Sequence, residues 1–513
     1  MSNAPNPGKK SFGTSLQANV DAVSAMFRGS KDLVIRYLSS DAAPGRAMAL
    51  LFIDGIVDSD TINTNIMNPL MSVSLPPDIS AKGDKLIAAL ADCVISIGSV
   101  QSVKSPNDAA ELMLNGLCLL LAEDSSVALM ADANGGEQRS VTVPQTQTVI
   151  RGPQHSFTEN LKTNISLLRR IIRSVDLHVD IRTIGRQSHT NVGVIYIHGL
   201  AEVGVVREVY RRLEEIDIDA VLESGYIEEF IQDETFTLFP TLLNTERPDT
   251  VAAELLEGKV SIIVDGSPLA LIAPTSFFAF FQSPDDFYQR YDIASFIRVI
   301  RYTAYAISML LPSIYIAITT FHQEMLPTTL LISLAAQREG IPFPGLVEAL
   351  LMEMTFEVLR EAGLRMPRAI GPAISIVGAL VLGQSAVQAG IVSAGMVIVV
   401  SFTAISNFVT PEFNMAATSR IIRFLLMLLA GIFGFFGIFL GVLFVMVHLA
   451  SLRSFGVPYM TPLAPLNIGL FRDIFFRMPR WAEVFRPSDI SKSNRRRGGS
   501  GKKPEHQRQS KKP

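Results

Sequence analysis

The chain is short of cysteine, of enzyme motifs and of charge, and each shortage excludes something. Only two of its 513 residues are cysteine, Cys93 and Cys118. That count rules out a disulfide scaffold and a Cys-rich zinc site, and both thiols are expected to be reduced, small core residues. No apolar stretch opens the chain: Met1 to Val20 is polar, so no cleavable signal peptide is expected and the first half reads as cytosolic. The patterns G-x-x-x-x-G-K-[ST], G-x-G-x-x-G, G-x-S-x-G and H-E-x-x-H are all missing. Asp265-Gly266-Ser267-Pro268 reads as a tight hairpin turn rather than a phosphate cradle. A non-enzymatic chain without a cofactor is therefore expected.

Charged residues make up 18% of the chain, against about 25% in a soluble protein. Hydrophobic residues make up 48%, and the mean hydropathy is +0.31. The deficit lies in the second half, where Ala369 to Pro411 runs 43 residues without Lys, Arg, Asp or Glu. A wholly soluble chain is thereby excluded. Four spans are expected, near 302–321, 370–388, 391–409 and 424–450. Segment 327–368 is too polar for a simple span and is expected to be re-entrant or amphipathic. From Pro479 onward, 11 Lys/Arg stand against 3 Asp/Glu. The positive-inside rule puts this 479–513 tail in the cytosol, near anionic lipid, and beyond Arg486 no aromatic residues interleave its charges as nucleic-acid binding would favour. Both termini on one side require an even number of crossings, four or six.

The polar half divides into an arm (1–30), an α/β unit (31–150) and a second α/β unit with a leading helix (151–290). The two units look related. Leu51-Phe52-Ile53-Asp54-Gly55-Ile56 resembles Ile195-Tyr196-Ile197-His198-Gly199-Leu200 at an offset of 144 residues. Gly116–Leu121 parallels Gly258–Ile263 at an offset of 142. The expected fold is thus an α+β cytosolic region of two related α/β units, followed by an all-α multi-pass membrane domain over 291–478.

Candidate functional residues cluster between the first and second spans. His322 and Glu324 stand at a span's end before Pro327, either as an interfacial anchor or as a gate element. The following helix carries Glu353, Glu357 and Glu361 at i, i+4 and i+8, with Glu348 about a turn earlier. The stripe is a solvated face in a monomer and a stack of acidic rings, a cation vestibule, in a symmetric oligomer. In the second span Val377, Val381, Gln384 and Gln388 share one face. They are either interhelical packing partners or pore-liners.

These blocks resemble the A subunits of GerA-type spore germinant receptors. The resemblance is carried by Ser295–Arg301, Leu311–Ala317, Phe321–Pro327, Arg338-Glu339 with Pro342-Phe343-Pro344, Arg360–Gly363 and Ile376–Gln384. Asp54–Asp58 and Val264–Pro268 extend it upstream, and it covers about residues 46 to 481. It implies a subunit of a nutrient receptor in the spore inner membrane that oligomerises into an ion channel. A transporter-like B subunit and a lipoprotein C subunit would be its partners, with membrane lipid around it and no nucleic acid. A secondary transporter and a non-conducting receptor scaffold are the alternatives.

Overall fold

A computed structural model describes residues 11–40, 43–72, 83–135, 144, 147–365, 383–467, 474–486, 490 and 494–497. The chain forms two compact units, one of residues 1–232, 242–274 and 481–513, the other of 233–241 and 275–480.

The first unit holds two five-stranded antiparallel sheets. The first sheet contains β1 (Leu33–Ser40), β2 (Ala43–Ile53), β3 (Val100–Val103), β4 (Leu117–Ala122) and β5 (Ala128–Asp132) in the order β1-β2-β4-β5-β3. Helices α1 (Leu16–Met26) and α3 (Pro106–Met113) cover one face, and α2 (Asp84–Cys93) the other. This explains the near-continuous apolar run of β4. Cys118 and Leu120 serve one core layer while Leu119 and Leu121 serve the other. The arm expected over 1–30 needs correction, because Phe12, Leu16, Val20, Val23 and Phe27 are core residues. Their helical spacing follows a polar, Pro/Gly-rich start that reads as loop.

The second sheet repeats the first. It contains β6 (Leu177–Ile184), β7 (Thr190–Ile197), β8 (Leu243–Thr245), β9 (Val260–Val264) and β10 (Ala270–Ala273) in the order β6-β7-β9-β10-β8. The repeat extends to register: Leu51 faces Leu119 in one sheet, and Ile195 faces Ser261 in the other, at the offsets of 144 and 142 residues. The helices α4 (Leu161–Ile171), α5 (Val203–Glu214), α6 (Ser224–Ile231) and α7 (Pro248–Leu256) complete the subdomain. Gly116 and Gly258 follow α3 and α7 with φ of 92° and 98°, a region that favours glycine where a helix turns into a strand.

A buried polar joint ties the two subdomains. Arg169 of α4 places Nε 2.6 Å from Asp32 Oδ2 and donates from Nη2 to Ser30 Oγ at 3.0 Å. Ser30 Oγ also accepts from Val179 N at 3.0 Å, and Lys31 N donates to Val179 O at 2.9 Å. Part of the basic tail belongs to this unit as well. Arg486 Nε donates to Leu256 O at 2.8 Å, and Arg497 pairs with Glu257 and with Glu483 at 3.1 Å. These two arginines are therefore protein-bound rather than solvated.

The second unit is helical: α8 (Tyr291–Thr320), α9 (Thr328–Arg338), α10 (Gly345–Arg365), α11 (Gly383–Gln388), α12 (Ala394–Phe408) and α13 (Phe413–Ser451). Among the described residues, α8 and α13 are long and apolar enough to cross a membrane. The helix holding the span expected from residue 302 begins at Tyr291, and in its first turns Arg298 and Arg301 turn inward onto Asp286 while Ile293, Phe296 and Ile300 are exposed. The span expected over 370–388 lies mostly outside the described residues. The one expected over 391–409 is α12, 15 residues long.

The run expected as one span over 424–450 is a hairpin. Gly434 has φ 60° and ψ −140° in the middle of α13. A Cβ on Gly441 would lie 2.5 Å from Leu426, and one on Gly437 would strike the Leu429 carbonyl, so the arms run back along each other. At the open end, the 233–241 segment meets both arms. Thr237 Oγ1 lies 2.9 Å from His448 Nε2, and Thr418 donates to Leu238 O.

Candidate functional site

Outward faces in the helical unit are apolar. Val347, Leu351, Met354 and Val358 of α10 are exposed, as are Ile398, Phe402 and Ile405 of α12 and Ile421, Leu425, Leu428 and Ile432 of α13. Each set follows helical spacing. Their opposite faces carry small, polar and charged residues.

The acids of α10 enter this interior. Buried Glu353 pairs with buried Arg423 at 3.3 Å. Glu357 pairs with Arg420 at 2.7 Å and with Arg423 at 3.5 Å. One turn on, Arg360 donates to Asn407 Oδ1 at 2.9 Å, and Asn407 donates to Ser419 Oγ at 2.8 Å. Two acids at i, i+4 thus meet two arginines at i, i+3, and Arg360 extends the ladder to α12. Removing one partner of such a buried pair leaves a charge without compensation, at a cost of about 3–5 kcal/mol.

The remaining expected site residues scatter. Glu348 is buried at the start of α12, where it accepts from Ser393 N at 2.5 Å and from the Ser393 hydroxyl. Ser393 caps α12 by accepting from Met396 N at 3.2 Å. Glu361 is exposed and pairs with Arg365 at 2.6 Å. The acidic stripe is thus shared between a helix cap, internal ion pairs and the surface. His322 packs against Phe435 at the hairpin tip, the rings tilted by 58° with centroids 5.0 Å apart, whereas Glu324 is exposed. Gln384 and Gln388 are exposed on one face of α11, and Val377 and Val381 lie outside the described residues.

Sequence reasoning missed Arg420, Arg423, Arg360 and Asn407. A signal existed: two arginines three apart directly precede an apolar run, matching acids four apart. Beginning the span at Phe424 set those arginines aside as flanks.

The family model of the Bacillus/Clostridium GerA spore germination protein matches residues 21–489. The chain belongs to the GerA family. Spore germination protein KA of Bacillus subtilis (strain 168) is 47% identical over 491 residues, covering 96% of this chain and 89% of that protein. Spore germination protein B1 of Bacillus subtilis (strain 168) is 38% identical, covering 92% and 96%. Spore germination protein GerLA of Bacillus cereus is 37% identical, covering 88% and 90%. Among solved structures, the N-terminal domain of the A subunit of the Bacillus megaterium spore germinant receptor GerK3 matches 53% of this chain and 98% of that one. That match has 34% identity and a TM-score of 0.43. The ion-pair ladder lies within the GerA match, as do the stretches that carried the resemblance.

Proposed function

We propose that this GerA-family chain is the membrane subunit of a nutrient germinant receptor, and that copies of it form a nutrient-gated ion channel in the spore inner membrane. Its partners would be a transporter-like B subunit and a lipoprotein C subunit. The observation that supports this reading is the ladder of Glu353, Glu357, Arg420 and Arg423 inside helices whose outer faces are apolar. Ionisable residues facing the interior of a lipid-embedded bundle mark ion and proton paths.

An even number of crossings, those of α8, α12 and the two arms of α13 among them, would put both termini in the cytosol. In the assembly, Gln384 and Gln388 would face the central axis with Val377 and Val381. Glu348, Glu353, Glu357 and Glu361 would lie near that path. Opening is a population shift, driven by a partner that binds the open state better. Vesicles holding all three subunits should release potassium when nutrient is added and stay sealed without it. Vesicles that take up nutrient yet release no potassium would overturn the channel in favour of a secondary transporter.

A further inference from the structure

Strands β8 and β10 pair at one edge of the second sheet, with Leu243 opposite Ile272. The chain enters β8 from Thr241 and leaves β10 toward Thr275, so both connections emerge at the same end of the pair. Thr241 and Thr275 themselves belong to the helical unit. There one buried hydroxyl holds the two together. Ser454 Oγ donates to Thr241 O at 2.7 Å and accepts from Thr275 N at 3.0 Å. Ser454 follows the last residue of α13 by three positions, in a short ribbon of β11 (Arg453–Ser454) and β12 (Val457–Pro458).

The rest of the 233–241 segment, which connects α6 to β8, is fastened in the same way. A connecting segment must find partners for its backbone carbonyls. Leu238, Pro240 and Thr241 find theirs in the hydroxyls of Thr418, Tyr459 and Ser454, the Tyr459 bond measuring 2.7 Å. The Asp233 carboxylate accepts from Phe455 N at 2.5 Å, and Thr237 meets His448. Phe239 is buried between them, its ring centroid 6.2 Å from that of His448 and 6.3 Å from that of Phe277. Thr418 lies on the first arm of the α13 hairpin and His448 on the second, so both arms end on the segment that feeds β8.

We propose that this joint relays conformational change between the α13 hairpin and the second sheet, with Ser454 as the positioning residue that clamps the end of the β8–β10 pair. A change in how the two arms lie displaces Thr237 and Leu238. Ser454 passes that displacement to both strands at once, because its hydroxyl donates to one connection and accepts from the other. The relay rests on the reading of the helical unit as the part that opens.

Linkage between the hairpin tip and the sheet tests it, read by hydrogen exchange of the full-length protein in phosphatidylcholine vesicles. Gly434→Ala and His322→Leu each disturb the tip, about 24 Å along the first arm from Thr418 at 1.5 Å per residue. Either should speed exchange of the β8 and β10 amides, 243–245 and 270–273, at least about fivefold, the lower end of ordinary coupling between sites. Exchange of β1, in the first sheet, should not change. With Ser454→Ala present, β8 and β10 should exchange faster from the outset and no longer respond to the tip, whereas Ser454→Thr, which keeps the hydroxyl, should keep the response. Tip variants that leave β8 and β10 unchanged, or that speed them by the same factor with and without the Ser454 hydroxyl, would overturn the relay. The expected linkage in protein whose three-subunit vesicles release no potassium would uphold the joint and overturn the channel.

Discussion

The two units of this chain obey opposite burial rules. In the α/β unit, apolar strands lie between helices and most charges face water. In the helical unit, branched and aromatic side chains face outward while Glu353, Glu357, Arg420 and Arg423 face in. Water explains the first arrangement, since removing apolar area from it is the main driving force for folding. On the proposed membrane reading a hydrocarbon surround explains the second, because apolar outer faces cost nothing there and charges must find partners inside. The α/β unit also contains buried pairs of this type, among them Arg169 with Asp32, which has a full set of hydrogen bonds. Neither oxygen of Glu353 accepts a hydrogen bond. One pair is a finished joint; the other is held by charge alone, and suits an element that moves.

That contrast is open to attack, and the largest effect should come from the ladder. Arg423→Leu strands Glu353 and should cost about 3–5 kcal/mol of stability in detergent, followed by thermal unfolding. Adding Glu353→Leu should recover much of that loss. If the double variant is no more stable than the single one, the pairing is not what makes Arg423 necessary.

Next comes the outer surface. Ile405→Asp puts a carboxylate on the outward face of α12 and should cost up to about 3 kcal/mol of insertion free energy, read as loss of protein from the membrane fraction. Tyr37→Asp, also at an exposed position but in the α/β unit, should change stability by less than about 0.5 kcal/mol. Similar outcomes at the two sites would erase the difference between the units.

A smaller effect belongs to the α/β unit alone. Half-buried Glu228 has its carboxyl pushed up to about 7, chiefly by burial and further by the charge of Glu223. The folded state holds that proton more tightly than the unfolded chain, whose pKa is about 4.3. Stability from this group is therefore full below about pH 4.3 and declines as pH rises through 7. Glu228→Gln should flatten the decline and add about 1 kcal/mol at pH 8 after allowance for solvent screening. A variant that keeps the wild-type slope between pH 5 and 8 would assign the decline to another group.

The repeated sheets were legible because short apolar strand segments, with Gly116 and Gly258 leading one pair of them, recur at offsets of 144 and 142 residues. The hairpin at Gly434 was not legible, since a glycine within an unbroken apolar run reads equally as a helix-packing position. Nor was the direction of the α10 stripe. Period 3.6 shows that Glu353 and Glu357 share a face, but what they face depends on Arg420 and Arg423, more than 60 residues later. The extent of α8 was hidden for the same reason: Arg298 and Arg301 look like the end of a span until Asp286 draws them inward.

Collision accessibility of a spin label on the outer face of α12 tests the inverted burial most directly. Ile405→Cys and, in the α/β unit, Tyr37→Cys are each labelled in a Cys93→Ser, Cys118→Ala background and reconstituted into vesicles. The label at position 405 should collide more often with oxygen, which concentrates in the bilayer, than with a water-soluble nickel chelate, and the label at position 37 should show the reverse. Nickel accessibility at 405 equal to that at 37 would place α12 in water and contradict the account.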